Sequence, residues 1–411
     1  MPVSRLHALC VLVPLLLGAT TVTPPPLGNS QNPYPLDPPP QIGDIVHLPT
    51  GIRVSHEQML EIAGDSRLVY VGETHDNPAA HRLQLDVLQA IAARYPGQVS
   101  LGMEMFTPAQ QPVLDRWSAG ELDEKHFLRD VHWYSTWQSD FDYYRDLLTF
   151  ARDQQIPVIG INAEKKMVQA VSRRWDELSE QERAALPELD LTDPYHTAMV
   201  AAIYGDHVQG EGKLAGFARV QALWDETMAT SIATYLQSPQ GRGRHMVVLA
   251  GGNHVRYGFG IPRRVFRRLP LSYTLIGSRE LEIPESKQDR LMNVDLPDFP
   301  LLPYDFLTFT RYEDLPGERV KLGVQFEQRA EPATGLSIIA VVEESSAASA
   351  GLQAGDVLLS LDSETLADSF DLVYAIGQKR AGDRISLTIE RDGVPQEIDV
   401  ILQPLPVKHG Q

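Results

Sequence analysis

Carboxylates and imidazoles cluster where apolar runs of this chain end. Residues 68–71 (LVYV) lead into Gly72-Glu73-Thr74-His75-Asp76-Asn77, residues 99–103 into Glu104, and residues 246–250 (MVVLA) into Gly251-Gly252-Asn253-His254. Carboxylate and imidazole together suit a divalent transition metal, and the same pairs can act as general acid and base. Glu73, His75, Glu104 and His254 are therefore candidate metal ligands and candidate catalytic residues. His81 and Gln84, three apart, add to one helix face. Each residue also has a purely structural reading. Glu73 or Asp76 can cap the following helix, and Glu104 can be a satisfied buried carboxylate. What raises the group above its members is a shared position.

That position depends on the elements around it. Residues 68–71, 99–103, 157–161 (PVIGI), 246–250 and 272–276 read as short buried strands, because they are continuously apolar and bounded by turn residues. Between them, residues 79–95 place Leu83, Val87, Leu88 and Ile91 on one helical face, and further helices are predicted at 143–154, 164–175 and 217–236. Continuous apolar strands alternating with amphipathic helices predict an α/β domain, a mainly parallel sheet flanked by helices. Residues 179–216 show no strand pattern and read as a helical insert. In such sheets ligands bind outside the carboxyl ends of the strands, where these polar residues fall.

The stretches VYVGETHDNPAAHRLQLDVL, LGMEMF, PVIGINA, QALWDETMA and AGGNHVRYGFGIPRR, in this order, resemble the ChaN family of haem-binding uptake proteins within the Tiki, TraB and erythromycin-esterase-like superfamily. The resemblance runs from about residue 52 to 278. It implies exported proteins of haem or iron acquisition, with haem held between paired protomers through tyrosine, so a homodimer is an expected assembly. It leaves an alternative: relatives in the superfamily are metal-dependent hydrolases or peptidases using the equivalents of Glu73, His75, Glu104 and His254, with a divalent metal ion as cofactor.

Haem needs an apolar slot, an axial ligand and cations for its propionates. Tyr257, three residues beyond His254, is the first candidate for axial ligand, followed by Tyr195 and Tyr204 in the insert. Arg256, Arg263 and Arg264 are candidate propionate partners, and Met103, Met105, Phe106 and Trp224 candidate lining. No Cys-x-x-Cys-His stretch supports covalent haem attachment. A phosphate loop and a Gly-x-Ser-x-Gly nucleophile elbow are equally missing from the sequence.

Beyond residue 320 the pattern changes to short strands. Leu322-Gly323-Val324, residues 336–342, Ala350-Gly351-Leu352-Gln353-Ala354-Gly355-Asp356 and a closing hairpin through Asp392-Gly393 resemble a bacterial PDZ domain of the protease-associated type, a mixed β-rich fold. By that resemblance, amides at Leu322, Gly323 and Val324 hold a peptide's terminal carboxylate, Val373 lines the side-chain pocket, and the partner is a C-terminal peptide or protein tail.

The remaining arithmetic narrows the class. With 411 residues, a formal charge of −18 and 43% hydrophobic residues, the chain is large enough for two or three domains and too acidic overall to favour nucleic acid as a partner. Residues 1–22, with Arg5 ahead of an apolar run and small residues after it, read as a signal peptide, which predicts export to a bacterial periplasm or cell envelope. The single Cys10 lies inside that run, whereas lipoprotein members of the family carry a cysteine after it. Membrane association is then expected only through an uncleaved signal. The predicted division is 1–22 signal, 23–43 Pro-rich linker, 44–312 α/β domain, 313–319 linker and 320–405 PDZ domain.

Overall fold

The computed structural model describes residue 34 and residues 36–204, 211–290, 296–317, 319–329 and 334–404. The predicted signal and most of the Pro-rich linker lie outside the described residues. So does His207, the neighbour of Tyr204 in the insert.

The first domain is built on eight strands: β1 (Ile45–His47), β2 (Ile52–Val54), β3 (Leu68–Glu73), β4 (Val99–Met103), β5 (Val158–Gly160), β6 (His245–Gly251), β7 (Tyr273–Glu282) and β8 (Phe306–Arg311). Their order is β2-β1-β8-β7-β3-β6-β4-β5, and the strands from β8 to β5 in that order run parallel. The β1–β2 hairpin pairs antiparallel along β8. The five strands read from the sequence are present. β1, β2 and β8 join them as an extension of one edge.

Helices cover both faces, and the alternation along the strands shows why. Val69 and Val71 of β3 pack with the helices α1 (His56–Ala63), α2 (Pro78–Arg94), α3 (Gln111–Ser118), α4 (Glu124–Asp130), α5 (Trp133–Thr136) and α6 (Arg145–Asp153). Leu68 and Tyr70 face the other way. They share a core with α10 (Glu211–Gln237) and α12 (Ile261–Arg268), while α7 (Lys165–Arg173) extends that layer against α10. Burying both faces at ~25 cal/mol per Å² is what makes continuous apolar strands stable here. The insert between α7 and α10 is helical, as expected, with α8 (Glu180–Ala185) and α9 (Pro194–Tyr204).

This topology places the site. β3 lies between β7 and β6, and β6 between β3 and β4. The chain leaves β3 through α2 onto one face, and leaves β6 through α11 (Gly252–Val255) and α12 toward the other. In sheets of this kind the ligand crevice lies where neighbouring strands send the chain to opposite faces, as β3 and β6 do here.

The C-terminal module is a separate antiparallel sheet of β9 (Val324–Gln328), β10 (Leu336–Val341), β11 (Val357–Leu361), β12 (Glu364–Thr365), β13 (Arg384–Arg391) and β14 (Val394–Ile401). The order is β14-β13-β11-β10-β9 with β12 on β11; the short α13 (Ser346–Ser349) precedes β11, and β9 is left as an edge beside α14 (Ser369–Gly377). The hairpin between β13 and β14 turns through Asp392 and Gly393, both at positive φ, the pairing a tight turn of this hand requires. Asp356 closes the Ala-Gly-Leu-Gln-Ala-Gly-Asp motif. Its carboxylate is buried, takes both Nε and Nη2 of Arg391 at 2.7 Å and accepts from the Gln353 amide at 2.8 Å.

Charged side chains join the two domains. Arg129 on α4 meets Asp368 and Asp371 at the start of α14, and Lys125 meets Glu364 at 3.0 Å. The guanidinium of Arg129 also lies over the ring of Phe370, 4.5 Å from its centre.

Candidate functional site

Glu73, the last residue of β3, is buried under four partners. His75 Nδ1 donates to its Oε1 at 2.6 Å, Tyr144 Oη donates to the same oxygen at 2.9 Å, and the Gln84 amide donates to Oε2. His81 Nδ1 lies 3.6 Å from Oε2, with its ring edge-on to Tyr144. Burial alone would push the Glu73 carboxyl up. The charge of His81, the hydrogen bond and charge of His75 and the Gln84 amide outweigh it and hold the carboxyl at about 2. Desolvation opposes the His75 cation, but Glu73, Glu104 and Asp76 raise it to about 9. At neutral pH the pair is a carboxylate against an imidazolium. The cap of α2 falls to neither Glu73 nor Asp76. Asn77 fills it, accepting from the Ala79 amide at 3.1 Å, and Asp76 receives the Tyr312 hydroxyl.

A second couple stands across the crevice. His254 in α11 donates through Nδ1 to Asp225 at 2.6 Å, while its Nε2 lies 3.5 Å from Glu104 Oε1. His196 Nε2 donates to the other Asp225 oxygen at 2.9 Å. Asp225 is fully buried on α10. Burial opposes its charge, yet His254, His196 and Arg264 hold it well below the usual carboxylate range. His254 is raised in turn, desolvation being outweighed by Glu104 and Asp225. Glu104 sits between the couples, its Oε2 accepting from the Gly251 amide at 2.7 Å. Gly251 leaves room for the His75 ring at this crossing. A Cβ there would come within 3.0 Å of His75 Nε2 and 3.7 Å of Glu104 Oε2.

All four sequence candidates therefore share one crevice. Among the described residues no group of three or more His, Cys, Asp or Glu side chains is arranged to hold a metal ion. Both histidines commit Nδ1 to a carboxylate, and Glu104 spends one oxygen on a backbone amide.

The haem candidates distribute differently from their sequence order. Tyr257 is 3% exposed, its ring stacked on Phe259 and edge-on to Phe299. A left-handed backbone (φ 59°) at Tyr257 turns the side chain into this cluster. Tyr195 forms the outer layer of the same stack, lying parallel to Phe259 at 5.5 Å, and is 40% exposed. Tyr204 packs on the cluster and stacks on Phe217. Burial, then the charges of Asp225 and Glu104, push its phenol up. The accessible phenol is thus Tyr195. Met103, Met105 and Phe106 do not line an open slot, since β4 and the turn after it carry them into the core beneath α2 to α6. Trp224 is partly buried and edge-on to His254. Arg263 is largely exposed and pairs with Asp193 at 3.2 Å, whereas Arg256 lies half-buried over Tyr304. Arg264 is buried and committed to Glu226 at 3.1 Å, which removes it from the propionate candidates.

In the C-terminal module, Leu322, Gly323, Val324 and Val373 line one cavity of about 790 Å³ between β9 and α14. Gly323 has φ 86°, and a Cβ there would fall 2.2 Å from that of Ser345. The opposite wall comes from the α/β domain, including Tyr134, Asp140 and Asp142.

Sequence reasoning passed over four site residues: Asp225, Tyr144, Gln221, whose amide lies 3.0 Å from His254 Nδ1, and Trp137, edge-on to His75. Gln221 and Asp225 carried a signal: they stand four apart on the stripe that continues through Met228 and Ile232. A carboxylate on an apolar helix face needs a buried partner. Tyr144 and Trp137 carried none, because aromatic residues in a core-like stretch look the same whether or not a polar atom reaches a site.

Fold and site together define an α/β protein with a polar crevice at the carboxyl edge of a parallel sheet, linked to a small antiparallel β module with an open edge. The chain belongs to the haem-binding uptake family ChaN of the Tiki superfamily, which residues 59–265 match, and residues 320–402 match the PDZ domain. Among solved structures it is similar to ChaN of Campylobacter jejuni, described as showing cofacial haem binding, at 16% identity and a TM-score of 0.49 over 64% of this chain and 95% of that one. Two curated relatives, from Marinomonas sp. (strain MWYL1) and Pseudomonas putida (strain W619), are each described as a probable periplasmic serine endoprotease, DegP-like. They are 36% and 38% identical over 72 residues, 18% of this chain. The chain spans only about 15% of the length of these relatives.

Proposed function

We propose that this chain is an exported haem-binding protein of the bacterial periplasm or cell envelope, acting in haem or iron uptake, whose PDZ domain binds the C-terminal tail of a peptide or protein partner. Membership of the ChaN family over half of the chain carries this reading. The surface around α9 and the start of α10 supports the group: Tyr195 is exposed against the buried rings of Phe259 and Phe299, Phe217 is exposed on Tyr204, and Arg263, exposed and paired with Asp193 at 3.2 Å, is the cation proposed to exchange that carboxylate for a propionate. Haem, when bound, would supply an iron, and Tyr195 is the phenol proposed to hold it. Burial pushes the Tyr204 phenol up, which sets it second as a phenolate donor. The exposed aromatic surface also supports a homodimer, a second copy covering the haem. Titration of purified protein with haemin, followed at the Soret band, tests this. A saturable shift that Tyr195→Phe abolishes is expected, and no saturable change overturns it.

Export rests on the apolar run after Arg5. Among the described residues no helix is long and apolar enough to cross a membrane, so membrane association is proposed only through an uncleaved signal. Cell fractionation combined with intact mass is expected to find the protein in the periplasm without residues 1–22.

A second reading, a metal-dependent hydrolase or peptidase using Glu73, His75, Glu104 and His254, is favoured by their convergence on one crevice. In that reading a bound metal would displace the proton that Glu73 holds on His75. Stoichiometric bound metal and chelator-sensitive peptide cleavage would establish it, and the absence of both overturns it.

A further inference from the structure

The strand-edge crevice and the PDZ groove have a wall in common. Residues 134–145 of the α/β domain line the groove on one side through Tyr134, Asp140 and Asp142. On the other side the same segment reaches the Glu73–His75 couple, Trp137 lying edge-on to His75 at 5.2 Å and Tyr144 donating to Glu73 at 2.9 Å. Trp137 and Tyr144 are joined by a 3.3 Å hydrogen bond from the indole nitrogen to the phenol oxygen.

The groove end of this segment is pinned by charge. Arg319, three residues ahead of Leu322, pairs with Asp140 at 2.7 Å and with Asp142 at 2.5 Å, and Arg380 reaches Asp142 at 2.8 Å. Nη1 of Arg319 is buried and has no hydrogen-bond partner among the described residues. A peptide that adds to β9 brings its α-carboxylate to Leu322-Gly323-Val324, beside this guanidinium. It offers Arg319 the same chemistry that Asp140 and Asp142 now supply.

We propose that a C-terminal peptide in the PDZ groove competes with Asp140 and Asp142 for Arg319, shifts residues 134–145, and so alters the Glu73–His75 couple at the crevice. The inference rests on the peptide-binding reading of the PDZ domain and adds to it that the peptide contacts both domains. By linkage, whatever binds the crevice alters peptide affinity by the same factor.

The test uses the full chain. An array of decapeptides with free α-carboxylates and apolar last residues supplies the strongest binder as probe, and its C-terminal amide serves as control. With saturating probe, hydrogen exchange is expected to change at least threefold in residues 133–145 and 72–76 as well as in 320–328, and the amide is expected to leave all three unchanged. Changes confined to 320–328 and 369–377 overturn the coupling and leave the peptide reading standing. Failure of every peptide to bind overturns both. Asp142→Asn is expected to bind the probe about threefold more tightly, because Arg319 and Arg380 lose a competing carboxylate. Unchanged or weaker binding in a variant that melts like the parent counts against the proposal, and the exchange experiment on the parent decides the matter if the variant does not fold.

Discussion

The strand-edge crevice and the PDZ groove are built in opposite ways. The crevice is made of side chains: Glu73, His75, Glu104, His254 and Asp225 hold one another in place, and each atom depends on a specific neighbour. The groove is made of backbone, the open edge of β9 and the turn at Gly323, with side chains such as Val373 only lining it. A side-chain network is fragile to the loss of any member, because each buried charge is then left unpaired. A backbone edge tolerates changes to its lining and fails only where the main chain itself is displaced.

The comparison can be broken at four points, in descending size of effect. Asp225→Ala leaves His254 and His196 buried without their shared carboxylate and is expected to cost about 3 kcal/mol of unfolding free energy, read from urea denaturation. A change under 1 kcal/mol would mean that the crevice does not depend on its buried pairs.

Acid and alkali test the Glu73–His75 couple. Glu73 lies at about 2 against an ordinary 4.5, so its contribution is present above pH 4.5 and lost as pH falls through 2. His75 lies at about 9 against an ordinary 6.5, so its contribution is present below pH 6.5 and lost as pH rises through 9. Stability from the couple should peak between these limits. The fall is expected to be about 2 kcal/mol on the acid side and smaller on the alkaline side, where water screens the half-exposed imidazole. In Glu73→Gln the His75 titration, followed by NMR, should move back toward neutrality; a midpoint that stays near 9 would remove Glu73 as its cause.

In the groove, Gly323→Val puts a β-branched residue at φ 86° against Ser345 and is expected to weaken peptide binding at least tenfold in a polarisation assay. Val373→Ala trims an exposed wall and is expected to weaken the same peptide only two- to threefold. A larger loss from Val373→Ala than from Gly323→Val would reverse the assignment of recognition to the backbone.

The same contrast explains what could be read from the residues alone. β3, β4 and β6 were legible because strands covered on both faces are continuously apolar, and they brought Glu73, Glu104 and His254 to one edge. β1 and β2 are three residues each, too short to establish a period, and β8 lies among prolines that read as turns. The PDZ motif was legible because Gly351 and Gly355 sit at positive φ and Asp356 fixes the turn between them, demands that restrict residue type. Tyr257 is buried and Tyr195 exposed because nearness along the chain to His254 does not fix side-chain direction, and one left-handed residue sent the nearer ring inward. Arg264 reads as a surface cation in sequence. Its burial follows from Glu226, a carboxylate deep in α10 that also draws Arg267 and Arg268.

The unpaired side of β9 has one more consequence. A free strand edge is a template on which a second sheet can grow, and proteins that expose one risk joining edge to edge. Here Tyr134 and Asp140 stand across the groove from that edge. The space beside β9 is thus walled by the α/β domain as well as by α14, and those walls stand in the way of an edge-to-edge approach by another sheet.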